Sequence, residues 1–401
     1  MSVISANEFG LYLHIPFCHS ICHYCDFSKT ANFSNDQVQR YFSVLEAKTV
    51  KILEHRKQLG LPKPTTVFFG GGTPGMFAEE YQALFKRFSS MLADDAEISM
   101  EANPEDVTEE RLKYWRDLGF NRLSMGVQSF SPEGLKFLTR QHSPEKTTKA
   151  IELALKYFDN LNIDLIYGWK DQSKAQWLQD LKHAVDLGVP HLSLYNLTFE
   201  QGTTLGRKKS RGLIPDIEDE HLEELYLAAV NFLKEGWIHD EVSNWSRPGY
   251  SCRHNWIYWR GGHFIGVGSG AHGFLPEPSP LGTRYYFSKE FRSFISDFNA
   301  DLPAANQEEV LRNIGAKIDE GRDRNDWLLE FVGSGLRTRH GVPIEYIEKL
   351  LECKFIPRKI LQSGIDMGLV SLQDGQLRLD PKEWFRENRW SLEVAMSFNY
   401  L

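Results

Sequence analysis

The sequence predicts an α/β fold of six successive βα units on a parallel sheet, followed by a small α+β module at the C-terminus. Three observations carry this prediction. Short β-rich runs alternate with longer amphipathic ones through roughly the first half of the chain. Each polar or glycine-rich cluster falls just after one of these runs, where barrel-type α/β folds gather their chemistry. Residues 301–401 then read as helix, helix and hairpin. A chain of 401 residues exceeds one ordinary core, so a division at 1–210, 211–300 and 301–401 is expected.

The strand candidates in order are LYLHIPF (11–17), TTVFFG (65–70), AEISMEA (96–102), NRLSMGV (121–127), NLNIDLIYG (160–168) and HLSLYNLT (191–198). Between them, NDQVQRYFSVLEAKTVKILEHRKQL and AQWLQDLKHAVDLG repeat apolar residues at spacings of three and four, the helical period. RKKSRGLIPDIEDE reads as a charged connection into the helix EHLEELYLAAVNFLKEG, and polar SDFNADLPAANQEE marks a boundary near 295–308. PIEYIEKLLE and PRKILQSGIDMG follow as helices, and LVSLQDGQLRLD as a hairpin turning on Asp374-Gly375, a winged-helix-like order.

Composition narrows the function classes. A net charge of -8 without a basic tract argues against a large phosphate-binding surface, so no nucleic-acid partner is expected. No run of eighteen apolar residues appears and the first ten residues lack a signal-peptide pattern, so neither membrane insertion nor export is expected and the address is cytoplasmic. Five cysteines, three within eight residues, fit metal or redox chemistry better than a disulfide framework.

Along the strand ends the chemistry accumulates. The first strand leads into CHSICHYC, with Cys18, Cys22 and Cys25, and the second runs into GGGTPG. The third ends at Glu101, the fourth at Gln128, and the fifth carries Asp164. Three thiols bind either zinc, with His14, His19 or His23 as fourth ligand, or an iron–sulfur cubane with one iron left open. The acidic residues also suit helix capping, and the glycines a tight turn.

CHSICHYC after a first strand and GGGTP after a second resemble the radical S-adenosylmethionine (SAM) superfamily. The resemblance implies a partial barrel of six βα units, a 4Fe-4S cluster on Cys18, Cys22 and Cys25, and SAM chelating the open iron. YLHIPFC, FFGGGTP, SMEANP, RLSMGVQSF and NIDLIYG are similar to the coproporphyrinogen oxidase-like group. Carried onto matching positions, that group's SAM contacts fall on Tyr12, Gly71, Gly72, Thr73, Glu101, Gln128, Arg140 and Asp164.

Within the group, oxygen-independent coproporphyrinogen III oxidases decarboxylate a porphyrin precursor, whereas haem chaperones of the HemW type bind haem for an acceptor protein. Only 17 residues precede Cys18, and Tyr24 stands where the oxidases usually carry Phe; both features favour the chaperones. HNWIYW (254–259) fits their H-N-x-x-Y-W motif, within PGYSCRHNWIYWRGGHFIGVGSGAHGF. His254 is thereby the expected haem ligand, with Trp256, Tyr258 and Trp259 placed to pack on a macrocycle; Cys252 is either an alternative soft ligand or a small apolar residue. Without the resemblance, His254 is an ordinary core histidine. His272 and Cys353 receive no role. Haem transfer needs no radical, so no catalytic residue is assigned, and the oxidase activity is the alternative. The expected partners are haem and an acceptor protein, with the chain a monomer or homodimer and the C-terminal module covering the porphyrin or docking a partner. Trp169-Lys170, where the group commonly has Leu-Pro, and the tail RENRWSLEVAMSFNYL depart from the pattern.

Overall fold

The computed structural model describes residues 8–275, 281–297, 304, 306–319 and 323–400. Six strands, β1 (Phe9–Ile15), β2 (Thr66–Gly71), β3 (Glu97–Ala102), β4 (Arg122–Gln128), β5 (Asn160–Tyr167) and β6 (His191–Asn196), pair in parallel in sequence order. They match the six predicted runs to within two residues at each end. The intervening helices are α1 (Asn35–Gln58), α2 (Tyr81–Phe88), α3 (Glu109–Leu118), α4 (Pro132–Phe137), α5 (Pro144–Ala154) and α6 (Lys174–Asp186). Their starts follow local chemistry: Ser34 and Gln37 close a capping box on α1, and Ser143 caps α5 just before Pro144.

Strand periodicity decides which side chains meet in the barrel. On β1, Leu11, Leu13 and Ile15 are fully buried among the helices, while Tyr12 points to the opposite, inner face. The same alternation turns Glu101 of β3, Arg122 and Ser124 of β4, Asn162 and Asp164 of β5 and Ser193 of β6 inward. The inner face of this sheet is therefore polar.

Two further helices, α7 (Thr204–Ser210) and α8 (Asp219–Phe232), lead to β7 (Ile238–Glu241) and β8 (Asn244–Ser246), which continue the sheet antiparallel beyond β6. The motif HNWIYW lies in helix α9 (Arg253–Trp259). Strand β9 (His263–Val267) then pairs in parallel with the free side of β1, and β10 (His272–Leu275), β11 (Thr283–Tyr286) and β12 (Lys317–Asp319) extend that side antiparallel.

Toward the C-terminus come helices at Arg324–Leu336, Ile344–Leu351 and Lys359–Asp366 and a hairpin of Val370–Gln373 with Gln376–Leu379. Asp374 and Gly375 both have positive φ, 52° and 70°, as a two-residue turn matched to strand twist demands. Val342–Pro343 adds a third short strand, and Cys353 is buried in the core. Half of the polar boundary expected near 295–308 (298–303 and 305) lies outside the described residues. Among those residues no helix is long and apolar enough to cross a membrane.

Candidate functional site

The loop after β1 carries the three thiols, and other elements hold its shape. Cys18 N–H donates to the Thr30 carbonyl at 3.0 Å and Thr30 N–H to the Pro16 carbonyl at 2.7 Å, closing the loop's base. Its far side is tied down by His23, whose N–H donates to Thr139 Oγ1 (3.1 Å) and whose carbonyl accepts from Leu205 N–H (2.9 Å). Tyr24 packs into a small apolar cluster containing Leu138, Leu205 and the buried Trp169. The departure at Trp169 thus supports the floor beneath the thiols.

All three thiols are free and half-buried. Burial pushes Cys18 up to about 11 and raises Cys25 as well, with the thiols' mutual repulsion adding to it. The Lys29 ammonium opposes that rise, its Nζ donating to the Cys25 carbonyl at 2.6 Å, and an Arg140 N–H points at Cys22 Sγ from 3.3 Å. Three thiols backed by a guanidinium and an ammonium fit a group bound by thiolates. The three histidines considered as fourth ligands are engaged elsewhere or kept apart. His14 Nε2–H donates to the Ser28 carbonyl (2.7 Å), its Nδ1 accepts from the Tyr12 hydroxyl (2.9 Å), and burial holds it neutral, at about 4. His19 reaches Asp106 at 3.3 Å. Among the described residues no three Cys, His, Asp or Glu side chains gather as a one-ion cage.

The glycine turn packs directly on this loop. Gly72 N–H donates to the Ile15 carbonyl (2.7 Å) and Thr73 N–H to the Phe17 carbonyl (2.8 Å). A Cβ on Gly72 would lie 2.5 Å from the Phe17 carbonyl oxygen, so only glycine allows the two loops to touch. Gly71, at φ 115°, aims its N–H at Glu101 Oε2 (2.9 Å). Burial, reinforced by Asp164, pushes the Glu101 carboxyl up to about 7. Burial raises Asp164 to about 6 against the amide of Asn162, which donates to it at 2.7 Å. Gln128 sits at φ 70° where β4 breaks register beyond Gly126. Arg140 bridges to Asn103 Oδ1 and to the Gly126 carbonyl (3.1 Å), and Asn103 reaches Thr73 Oγ1 (3.2 Å). One network thus joins the ends of β2, β3 and β4 to the Cys loop.

A cavity of about 220 Å³ runs down the barrel from this rim. Tyr12, Gly71, Glu101 and Asp164 line it; Gly72, Thr73, Gln128 and Arg140 stand around its mouth without lining it. Its lower wall is formed by Arg122, Asn255, Tyr258 and His254, so the motif helix α9 meets the barrel strands here. His254 is 1% exposed, and both ring nitrogens are engaged: Nδ1 with Thr66 Oγ1 at 2.6 Å and Nε2 with the Tyr258 hydroxyl at 2.7 Å. Burial, with Arg122 nearby, holds the imidazole at about 3, neutral under ordinary conditions. Trp256 packs edge-on against His340, between the guanidiniums of Arg260 and Arg339. Cys252 is buried and directs its thiol toward Glu97, while His272 is exposed on β10, away from the cavity lining.

Sequence reasoning missed Asn103, although it stands inside the quoted SMEANP, and it missed Arg122 and Asn162 as cavity groups; Tyr258, expected beside the ligand, does line the cavity. Their inward direction follows from strand and helix phase relative to Glu101, Asp164 and His254, a signal present in the sequence.

Residues 12–184 match the family model of the Radical SAM superfamily. "Heme chaperone HemW" of Mycobacterium tuberculosis (strain CDC 1551 / Oshkosh) is 36% identical over 352 residues, 86% of this chain and 85% of that protein. "Heme chaperone HemW" of Escherichia coli (strain K12) is 34% identical over 381 residues, 92% and 93% of the two chains. The solved structure of coproporphyrinogen III oxidase (HemN) from Escherichia coli superposes with a TM-score of 0.74 over 97% of this chain and 90% of that one, at 21% identity, a likeness of fold alone. Identity above 30% across most of both chains, on a barrel whose glycine turn and HNxxYW helix share one cavity, places this chain in the HemW family of haem chaperones within the radical SAM superfamily.

Proposed function

We propose that this protein binds haem and passes it to an acceptor protein, using a 4Fe-4S cluster and SAM as resident groups. The observation that carries the reading is that Phe27, two residues beyond Cys25, the Glu101–Asp164 pair and α9 line one cavity. Cys18, Cys22 and Cys25 would hold the cluster, with Arg140 and Lys29 offsetting the thiolate charge. When bound, the cluster supplies one-electron reducing power and an open iron for the amino and carboxylate groups of SAM. Tyr12, Gly71, Glu101 and Asp164 would receive SAM from the cavity side, and Gly72, Thr73, Gln128 and Arg140 would fix the rim. The five free thiols suit a reducing compartment such as the cytoplasm, and the acidic surface suits a protein rather than a nucleic-acid partner.

Haem is larger than the cavity encloses: about 220 Å³ falls below the ~300–1,000 Å³ usual for drug-sized ligands. Axial ligation by His254 Nε2 requires Tyr258 to surrender its hydrogen bond, so haem binding through this residue opens the α9 wall. The test is anaerobic reconstitution followed by haem titration of wild type, His254→Ala and Tyr258→Phe. A stoichiometric haem spectrum that changes on His254→Ala, and that forms faster on Tyr258→Phe, is the expected result. Rapid production of protoporphyrinogen from coproporphyrinogen III with SAM and reductant would instead establish the oxidase reading.

A further inference from the structure

The floor of the cavity holds a guanidinium that the functions above do not use. Arg122, the first residue of β4, is 2% exposed and lines the cavity. No carboxylate lies within 4 Å of it among the described residues, and its Nε meets no acceptor. Its polar neighbour is His191 Nδ1, 3.1 Å from Nη2. That nitrogen is itself a donor. Asn162 Nδ2 donates to Ser124 Oγ (2.8 Å) and Asp164 Oδ1 (2.7 Å), which fixes Asn162 Oδ1 as the acceptor 2.5 Å from His191 Nδ1. Asp164 lines the same cavity and feels the charge of Arg122 at a distance, but its carboxylate takes its hydrogen bonds from Asn162 and the neighbouring serines and makes no ion-pair contact with the guanidinium. A charged donor buried this deeply is ordinarily paired, because an unpaired buried charge is costly.

We propose that Arg122 anchors a carboxylate-binding subsite on the floor of the barrel, which receives the acidic end of a molecule entering from the rim. Asn255 of α9 lines the same cavity and adds to its polar lining. A planar guanidinium is the side chain best matched to a carboxylate, which it grips with two parallel N–H bonds. The cavity then has opposite ends, Glu101 at the mouth and a cation at the floor, so it discriminates among ligands by where they carry charge. The subsite does not rest on the haem reading. The same chemistry arises from a free short carboxylic acid or from a propionate arm of a porphyrin.

The test titrates the full-length, cluster-reconstituted protein with sodium propionate by calorimetry, against sodium chloride as control, and separately with haemin and haemin dimethyl ester. Saturable one-to-one propionate binding, weakened at least tenfold in Arg122→Met, is the expected result. Arg122→Lys keeps the charge but not the fork and is the variant to use if Arg122→Met does not fold; at least a threefold loss is expected there. Unsaturable heats with wild type, or an unchanged constant in the folded variant, overturn the proposal. A haemin affinity that falls on esterification in wild type but not in the Arg122 variant assigns the subsite to a porphyrin propionate; equal haemin and ester affinities assign it to a free acid.

Discussion

Glu101 titrates near neutrality because the barrel withholds water from it and sets Asp164 opposite, while a single backbone amide from Gly71 favours its charged form. The folded carboxyl at about 7 stands above its ordinary value of 4.5, so across that window the unfolded chain releases its proton first. Stability from this group is therefore present below about pH 4.5 and is lost as pH rises toward 7. A cationic ligand reverses the preference, since the sulfonium of SAM favours the carboxylate. SAM binding at pH 6.5 is accordingly expected to release protons, seen as different calorimetric heats in buffers of unequal ionisation enthalpy. Glu101→Gln should reduce that release to the share due to Asp164 and weaken SAM binding about tenfold or more, a loss of about 1.4 kcal/mol or greater. Equal heats in both buffers with wild type would refute this account of the residue.

The paired loops after β1 and β2 make a prediction about elements. Gly72→Ala places a methyl carbon 2.5 Å from one backbone carbonyl oxygen and 2.8 Å from another, neither of which yields as a side chain would. The expected cost is about 1–3 kcal/mol, and the displaced strand end carries Cys18 with it. Iron and acid-labile sulfide per chain should drop to less than half of wild type. Gly188→Ala is the control: its positive φ of 78° strains the new residue, but no atom lies within 4 Å and the Cys loop is untouched. Full iron content in Gly72→Ala would mean that the loop contact does not position the thiols. These strands and loops were legible in the sequence because strand alternation and a glycine-rich turn are local signals. The floor was not, because His254, Thr66 and Tyr258 become neighbours only when α9 closes on β2. For the same reason HNWIYW leaves His254 between ligand and core histidine in one dimension, while in three it is a doubly bonded ring with 1% exposure. Trp169 stood out only as a departure from the resembled group's Leu-Pro; its role under Tyr24 depends on α7 arriving beside the Cys loop.

At the scale of the molecule, the β7–β8 hairpin couples the barrel sheet to the segment that follows the Arg324–Leu336 helix. Val242 N–H donates to the Arg337 carbonyl (2.9 Å), and Arg339 N–H to the Asp240 carbonyl (3.2 Å). The Asp240 carboxylate, 3% exposed, accepts from the Ser246 hydroxyl (2.6 Å), the Ser251 hydroxyl (2.9 Å) and Arg339 Nε (3.2 Å). Arg339 also lies over the ring of Trp256, so one acidic residue holds the guanidinium that steadies the motif helix. Asp240→Ala removes the acceptor of the buried Ser246 hydroxyl and of the half-buried Ser251 hydroxyl and frees Arg339, whose half-exposed position lets water recover part of the loss. The net destabilisation should be about 2–4 kcal/mol, read as a lower urea midpoint. Asp240→Asn keeps the shape and one acceptor oxygen and should lose about half as much. Because Arg339 reaches both the hairpin and Trp256, the alanine variant should also alter haem affinity although it touches no cavity residue. A variant that lost stability while binding haem normally would show that the C-terminal segment braces the fold without governing the α9 wall.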